Sequence, residues 1–176
     1  NRRKILDYYQ QAVKQGAGLV VFPEMAVTGY PPQDLLTNRS FIRKNDEITA
    51  NLVSRSGETY LVFGYVRTNE RTLHNSVMVA KNGKEIAFYD KILLPMYDVF
   101  DEHRYFRPGK SAAPIELQFG NRSIKVGFQI CEDLWDADYD QKVTDESVTA
   151  GAEVIINISA SPFSMGKRFE RQGLIQ

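Results

Sequence analysis

Three apolar segments of the sequence each lead to a residue that can do chemistry. One β-branched run stops at Cys131, the only cysteine in the chain, and two acidic residues follow it. Two other apolar runs end in the same way, one close to Glu24 and one close to Lys91. A thiol, a carboxylate and an ammonium group, each carried to a turn by a strand, are the parts of a nucleophilic site. The hypothesis to weigh is a cysteine nucleophile with a base and a cation beside it.

Cys131 has two interpretations. A lone cysteine after an apolar strand is most often a buried structural residue that behaves as a small hydrophobic group. Its place at the end of the strand, before Glu132 and Asp133, instead favours a helix start. Backbone N–H groups there can stabilise a thiolate and, later, an oxyanion. A thiol is only partly ionised at neutral pH, so such a nucleophile needs a base.

The base could be a histidine or a carboxylate. His74 lies in a polar turn of the pattern and His103 in a charged run, so we expect both at the surface. Glu24 is either a solvated loop acid or the base. Its neighbours on both sides are apolar, which predicts a partly desolvated carboxylate suited to proton transfer.

Lys91 is the candidate cation. An ordinary surface lysine is the commoner case, but the apolar residues 92–95 follow it directly. A lysine in that setting could donate to the negative charge that develops on a carbonyl oxygen. Glu102 and Tyr97 lie further along the same loop, and each alone would pass as a residue on the rim of a site. No single residue decides between these interpretations.

The elements that must position these residues form a mixed α/β pattern. Helical spacing predicts a helix over 5–13 that ends at Gly16, and Ser40 is expected to cap a second helix that ends before Gly57. The first predicted strand is all apolar, as in a strand covered on both faces. Further helices are predicted at about 139–150 and 167–174, and strands at 19–22, 59–67, 75–80, 85–89, 115–119, 123–130 and 153–159.

Two hairpins and one long loop complete this pattern. Asn82-Gly83 and Gly120-Asn121 are two-residue turns of the kind that joins antiparallel strands. Residues 90–114 show little periodicity but are rich in aromatic and charged side chains, which predicts a functional loop rather than disorder. The fold class predicted from the pattern is α/β with mixed sheets, whose strand ends feed functional loops.

Composition excludes several classes of protein. With 176 residues the chain suits one domain, and its 22 basic and 22 acidic side chains give no excess that would favour nucleic acid. The longest apolar run is far short of a membrane span. One cysteine cannot form an internal disulfide, which favours a cytoplasmic setting. Because the chain begins and ends inside helical patterns, we expect a fragment of something longer.

Three segments together carry a family resemblance. They read FPEMAVTGYPPQDLL at 22–36, LPMYDVFDEHRYF at 94–106 and ICEDLW at 130–135, and Asp90-Lys91 precedes the second. The segments resemble the nitrilase (carbon–nitrogen hydrolase) superfamily, which uses a Glu-Lys-Cys triad in this chain order. Within it they are most similar to the glutaminase domains of glutamine-dependent NAD synthetases, and the resemblance covers nearly the whole chain.

The resemblance implies a nitrilase-type four-layer α-β-β-α sandwich, incomplete at both ends in this chain, and a role for each matching residue. Glu24 would be the general base, and Cys131 would attack the side-chain amide of glutamine to form a thioester. Lys91 and the backbone N–H of Glu132 would stabilise the oxyanion. Glu102 would position the lysine, and Glu24 would then activate water to release glutamate. The glutamine pocket would be lined by Tyr30, Tyr97, Glu132, Trp135 and Ser161.

The resemblance also implies a second domain. In the family, ammonia passes through a tunnel to a C-terminal synthetase domain, which uses ATP to amidate nicotinic acid adenine dinucleotide to NAD. Residues 1–176 contain no glycine-rich phosphate-binding loop, so ATP and Mg²⁺ are expected in that domain and no cofactor or metal in this one. The family further implies assembly into a homo-oligomer.

Two alternatives stay open from the sequence. One is a stand-alone nitrilase-type amidase or carbamoylase that acts on another small amide. The other is a catalytically silent domain that keeps the sandwich for assembly only, against which the intact set of Glu24, Lys91 and Cys131 speaks.

Overall fold

The structure is a computed structural model that describes residues 1–97, 100–162 and 165–175. Asp98 and Val99, which belong to the second segment of the family resemblance, lie outside the described residues. The α-helices are α1 Arg2–Lys14, α2 Arg39–Ser54, α3 Glu102–Tyr105, α4 Val143–Thr149 and α5 Lys167–Ile175. Short 3-10 helices span Gln33–Thr37, Cys131–Leu134 and Asp136–Asp138. The strands are β1 Leu19–Val21, β2 Tyr60–Asn69, β3 Thr72–Lys81, β4 Lys84–Asp90, β5 Ile115–Phe119, β6 Arg122–Ile130 and β7 Val154–Ile158.

The strands form two mixed sheets. The first has the order β1-β2-β3-β4, in which β1 and β2 are parallel and the other pairs are antiparallel. The second has the order β5-β6-β7, in which β6 and β7 are parallel. The predicted turn between β3 and β4 is confirmed, since Asn82 and Gly83 both have positive φ, as a tight hairpin turn requires.

The main apolar core lies between the two sheets. Alternate residues of β2 and β3, such as Val62 and Val77, pack in one buried cluster with Leu117, Val126 and Phe128 of the second sheet. The residues between them in β2 and β3 face the other way and pack against α1 and α2. On the second sheet α4 covers the outer face of β6. The predicted mixed α/β fold with layers in the order α, β, β, α is therefore confirmed.

Three local predictions were wrong. Asn38 rather than Ser40 caps α2, because the Asn38 side-chain oxygen accepts hydrogen bonds from the backbone N–H groups of Ser40 and Phe41. Helix α4 begins at Val143 rather than near 139, since residues 139–142, after the 3-10 helix Asp136–Asp138, form bends and irregular backbone. Strand β1 is not covered on both faces, because Val21 is 37% exposed.

His74 also departs from its prediction as a surface residue. It lies near the start of β3 and is buried beside Asp90, with Nδ1 3.7 Å from Oδ2 of the carboxylate. Arg67 of β2 pairs with the same carboxylate through two hydrogen bonds. His74 thus faces the partly buried Arg67–Asp90 ion pair rather than solvent. His103 is exposed, as predicted.

Gly64 of β2 lets the turn after β1 pack against the sheet. Its N–H donates to the carbonyl of Pro23 at 3.1 Å, and its carbonyl accepts from Val27 at 3.2 Å. A Cβ built at this position would lie 2.4 Å from the backbone nitrogen of Met25 and 2.7 Å from Cα of Glu24. Only glycine therefore lets the backbone that carries Glu24 come this close.

Replacing Gly64 by alanine should displace that turn. We expect Gly64→Ala to lower the free energy of unfolding by about 1–3 kcal/mol, as for other overpacked sites. Urea unfolding of the full-length protein measures the change. Gly173→Ala in α5 is the matched control, because its Cβ would meet nothing within 4 Å. Equal stability of the two variants would contradict the packing argument.

Candidate active site

The ends of strands from both sheets bring the predicted residues into one buried region. Glu24 follows β1, Lys91 follows β4 and Cys131 follows β6, and their exposed fractions are 2%, 1% and 7%. The loop after β7 joins the two sheets at this point. Its Ala160 donates a backbone N–H to Oε2 of Glu24 at 2.9 Å, and the hydroxyl of Ser161 lies 3.1 Å from the Cys131 sulfur.

The Lys91 ammonium lies between two carboxylates. Its Nζ is 3.0 Å from Oε1 of Glu24 and 2.8 Å from Oε1 of Glu102. Burial disfavours the charged amine, but the two carboxylates outweigh burial and raise the pKa of Lys91 above its ordinary value. Lys91 therefore stays protonated and can act as a fixed positive charge, not as a base.

Glu102 is held at the lysine by α3. Burial raises the pKa of the Glu102 carboxyl, while the Lys91 charge opposes that rise. The hydroxyl of Tyr30 donates to the same Oε1 at 3.0 Å. The Glu102 carboxylate thus accepts hydrogen bonds from Lys91, Tyr30 and Asn75, and its role in positioning the lysine stays a prediction.

Glu24 accepts three hydrogen bonds from three parts of the chain. Besides Lys91 and the Ala160 N–H, the side-chain amide of Asn75 donates to Oε1 at 2.8 Å. The same amide nitrogen is 3.4 Å from Oε2 of Glu102, so Asn75 bridges the two carboxylates. The backbone carbonyl of Asn75 also accepts the N–H of Lys91 at 2.8 Å. One residue of β3 therefore contacts all three members of the charged cluster.

Cys131 sits at a strained turn between β6 and a 3-10 helix. Its φ is 47°, a left-handed conformation that residues with a side chain rarely adopt and that often marks a functional site. Burial raises the pKa of the thiol, the Glu24 charge raises it further, and the Lys91 charge opposes both. The resting thiol is therefore protonated, and its reaction as a nucleophile requires a base.

Asp133 connects the cysteine turn to the lysine segment. It is fully buried, and its Oδ1 accepts the backbone N–H groups of Ile92 at 3.1 Å and Leu93 at 2.8 Å. Its Oδ2 accepts the N–H of Ile130 at 2.9 Å and the hydroxyl of Tyr89 at 2.7 Å. The bonds from Tyr89, Ile92 and Leu93 connect the end of β4 and the lysine segment to the Cys131 turn, whereas the bond from Ile130 is local to that turn.

Two tyrosines hold the side chain of Glu132. The hydroxyl of Tyr97 donates to Oε2 at 2.8 Å and that of Tyr139 to Oε1 at 2.9 Å. Burial and the neighbouring carboxylate raise the pKa of Tyr139 to about 12, so it remains a donor at neutral pH. Glu132 is itself 5% exposed. The carboxylate of Glu132, next to Cys131 in the chain, is therefore held by two hydroxyl donors.

The remaining predicted pocket residues lie in different places. Tyr30 and Ser161 reach the charged cluster and the thiol respectively, and Tyr97 reaches Glu132. The ring of Trp135 instead contacts Lys167 of α5, whose Nζ lies 3.8 Å from the ring centre. A cavity of about 250 Å³ borders the cluster at Tyr30 and Glu102. Binding of glutamine by these residues stays a prediction.

Sequence reasoning missed four contributors to this region, namely Asn75, Asp133, Tyr139 and the backbone N–H of Ala160. Asn75 carried a signal, because His74, Asn75 and Ser76 interrupt an otherwise apolar strand with three polar residues. Asp133 lies in the third segment of the family resemblance, but its residue type alone indicates no role there. The N–H of Ala160 had no signal, since any residue type except proline supplies it.

The described residues offer no metal centre or membrane-spanning helix. Within residues 1–97, 100–162 and 165–175, no three or more histidine, cysteine, aspartate or glutamate side chains are grouped so that they could hold a metal ion. Among the helices of these same ranges, none is long and apolar enough to cross a membrane. The placement of ATP and Mg²⁺ in another domain stays a prediction.

The buried cluster makes Lys91 important for stability. Lys91→Met would leave two buried carboxylates without their cation, so we expect the free energy of unfolding to fall by about 3–5 kcal/mol. Lys44→Met is the matched control, because Lys44 forms its ion pair with Glu47 at the exposed surface of α2. It should leave stability nearly unchanged. Urea unfolding at pH 7 measures both, and similar losses would count against the cluster.

The pKa of the Cys131 thiol should depend on the charge of Glu24. Because that carboxylate raises the pKa of the thiol, Glu24→Gln should lower the pH at which thiolate forms. Absorbance near 240 nm, taken as the difference from Cys131→Ala, follows the thiolate through a pH titration. Glu47→Gln, which alters an exposed carboxylate of α2, should leave the midpoint unchanged. A midpoint that rises in Glu24→Gln would contradict this geometry.

Comparison with known proteins identifies relatives. The sequence profile of the carbon-nitrogen hydrolase family matches residues 1–172. The glutamine-dependent NAD(+) synthetase of Thermotoga maritima is 38% identical over 170 residues, which are 95% of this chain and 28% of that protein. The Synechocystis enzyme of the same name is 37% identical over 190 residues, covering 99% of this chain and 33% of that protein.

Solved structures of similar fold include another glutamine-dependent NAD+ synthetase and an amidase. The glutamine-dependent NAD+ synthetase of Acinetobacter baumannii, solved with adenosine diphosphate, superposes with a TM-score of 0.88 at 30% identity, over 99% of this chain and 32% of that one. An amidase from Nesterenkonia sp. shares the fold, with a TM-score of 0.73 at 20% identity, over 96% of this chain and 63% of that one. The chain thus spans about a third of the synthetases that it matches. On its sequence and on its two-sheet architecture, this chain belongs to the carbon–nitrogen hydrolase family.

Proposed function

We propose that this chain is the glutaminase domain of a glutamine-dependent NAD synthetase. The observation that carries the proposal is the buried Glu24–Lys91–Glu102 cluster, which lies beside Cys131 and includes a carboxylate that can accept the thiol proton. Glutamine is proposed as the substrate because the matched synthetases are named as glutamine-dependent. The role of each residue in this site is likewise proposed.

In the proposed reaction Glu24 takes the proton of the Cys131 thiol, and the sulfur attacks the side-chain amide carbon of glutamine. The carbonyl oxygen becomes an oxyanion, which Lys91 and the backbone N–H of Glu132 stabilise. As the carbon–nitrogen bond breaks, Glu24 returns the proton to the leaving nitrogen and ammonia departs. Glu24 then accepts a proton from water as the water oxygen attacks the thioester carbon. The carbon–sulfur bond breaks, the sulfur takes the proton back from Glu24, and glutamate and the free thiol are released.

The contacts of the charged residues support these roles. Lys91 is protonated and held in place by its two carboxylates, so it can stabilise negative charge without moving. Glu102 positions Lys91 and is itself held by Tyr30. Besides Lys91, the side-chain amide of Asn75 and the backbone N–H of Ala160 donate to Glu24 and fix the orientation of the base. Tyr30, Tyr97, Glu132, Trp135 and Ser161 are proposed to line the glutamine pocket.

The proposal extends to a partner domain. This chain spans 28–33% of the matched synthetases, which leaves room in them for a further domain. We infer that the ammonia is passed to an ATP- and Mg²⁺-dependent synthetase domain of the same polypeptide, which amidates nicotinic acid adenine dinucleotide to NAD. A homo-oligomer and a cytoplasmic location remain predictions from the family resemblance and from the single cysteine.

The two alternatives make different predictions. A silent assembly domain has no need for a buried ammonium between two carboxylates, because burial of ionic groups without functional benefit rarely stabilises a fold. A stand-alone amidase would use the same residues on another small amide. The fold is shared with an amidase, so the fold does not separate the two enzymes.

The test is glutamate release from glutamine by the full-length protein. We expect Cys131→Ala to lower kcat/KM by at least about 10³-fold, because no nucleophile remains, and Glu24→Gln to lower it by about 10²–10⁴-fold. Glu47→Gln, an exposed carboxylate on α2, is the control and should keep the full rate. ATP and nicotinic acid adenine dinucleotide are added in a parallel series to measure coupling.

Each alternative outcome has a clear meaning. Cys131-dependent release of ammonia from other amides but not from glutamine would replace the proposal with a stand-alone amidase. Glutamine hydrolysis that persists in Cys131→Ala would refute the role of the thiol. The absence of Cys131-dependent hydrolysis of any amide would favour the silent domain.

A further inference from the structure

The proposed reacting groups belong to two different sheets. Glu24 and Lys91 follow strands of the four-stranded sheet, whereas Cys131 follows a strand of the three-stranded sheet. Between the sheets lies an apolar core, and apolar contact has no directional preference that would fix one sheet against the other. A displacement of about 1 Å between reacting groups can cost about 10²-fold in rate. The site therefore needs directional contacts between the sheets.

Asp133 supplies such contacts where they bear on the reacting groups. On one side it accepts from Ile92 and Leu93, the two residues directly after Lys91. On the other side it lies two residues after Cys131 and accepts from Ile130, the residue directly before it. The fourth donor is Tyr89, at the end of β4. A single buried carboxylate thus holds the backbone on both sides of the nucleophile against the backbone that carries the lysine.

The chemistry of this contact requires a carboxylate. Each of its oxygens accepts two hydrogen bonds, and a carboxylate can accept about four in all. An asparagine of the same shape accepts through one oxygen only, and its NH₂ group would face two donors. Hydrogen bonds to a charged acceptor are also stronger than those between neutral groups. Asp133→Asn therefore removes about half of the contact while it preserves side-chain volume.

We propose that Asp133 is a positioning residue, which fixes the Cys131 turn against the Lys91 segment and thereby sets the distance between the thiol and the oxyanion-stabilising ammonium. The inference rests on the proposed function, since it concerns the same reaction. It adds a residue that touches neither substrate nor reacting atoms. Its effect should appear in the rate of the chemical step rather than in glutamine binding.

Protonation of Asp133 provides a second way to weaken the contact. Burial raises the pKa of the Asp133 carboxyl to about 6, above its ordinary value of 3.8. At neutral pH the carboxylate is present and accepts all four bonds. Below about pH 6 the proton occupies one acceptor position and faces a donor, so the contact between the two segments weakens. We therefore expect the four-bond contact of Asp133 to be complete only above about pH 6.

The experiment compares three variants of the full-length protein, namely Asp133→Asn, Tyr89→Phe and the control Asp138→Asn. Tyr89→Phe removes one donor and keeps the charge and the ring, so it tests the contact even where Asp133→Asn fails to fold. Asp138 is exposed on the next 3-10 turn and receives the same chemical change as Asp133. The measurements are kcat and KM for glutamine, the melting temperature, and the rate of Cys131 alkylation by iodoacetamide between about pH 6 and 11, which extends above the raised pKa of the thiol.

We expect Asp133→Asn to lower kcat by about 10–100-fold and to change KM by less than about threefold, because the chemical step alone depends on the spacing. Tyr89→Phe should lower kcat by about 3–10-fold, in keeping with the loss of one hydrogen bond. In both, the pH profile of Cys131 alkylation should shift, since the thiol lies at a new distance from Lys91 and Glu24. Asp138→Asn should match the parent protein in every measurement.

Two results would overturn the positioning role. One is a lower melting temperature with kcat and the alkylation profile unchanged, which would mean that Asp133 only stabilises the fold. The other is an unchanged kcat in Asp133→Asn and Tyr89→Phe proteins that fold as the parent does. The alkylation profile needs no substrate, so it still tests Asp133 if the parent protein fails to hydrolyse glutamine and the proposed function is wrong.

Discussion

An ammonium group buried between two carboxylates is the interaction on which this site depends. Lys91 neutralises only one of the two negative charges of Glu24 and Glu102, so the cluster as a whole is an anion in a region shielded from water. Such a group is stable only when every remaining lone pair finds a donor. Asn75 and the N–H of Ala160 supply donors for this purpose. The loops after β1, β4 and β7 must therefore be in place before the cluster can form.

The same charges govern the cysteine. The thiol is kept protonated by burial and by Glu24, whereas Lys91 favours the thiolate. Transfer of the thiol proton to Glu24 moves a negative charge from oxygen to sulfur without changing the total charge around Lys91. The ammonium therefore stays compensated throughout the proposed reaction, and the later oxyanion replaces the thiolate as its partner. A cation with a constant charge environment needs little rearrangement as the reaction proceeds, which is the condition for effective electrostatic stabilisation.

The sequence predicted the parts of this site that depend on residue type and on local pattern. A thiol, a carboxylate and an amine at strand ends could be recognised, because a strand followed by a turn is encoded within a few residues. The bridge made by Asn75 could not be recognised from the sequence. It depends on which side of β3 faces the turn after β1, and that turn is distant from Asn75 in sequence. His74 was misplaced at the surface for the same reason, because its neighbours Arg67 and Asp90 come from adjacent strands. Register between strands distant in sequence decides such contacts, and local periodicity does not contain it.

The turn at Cys131 shows how these constraints meet in one short segment. Asp133 binds it to the lysine segment, while the carboxylate of Glu132 is bound by Tyr97 and Tyr139. Tyr97 is 52% exposed, although the carboxylate that it contacts is buried. Movement of Tyr97 away from the site would leave a buried carboxylate with one donor fewer, which costs free energy. The position of Tyr97 and the geometry of the Cys131 turn are therefore coupled through Glu132.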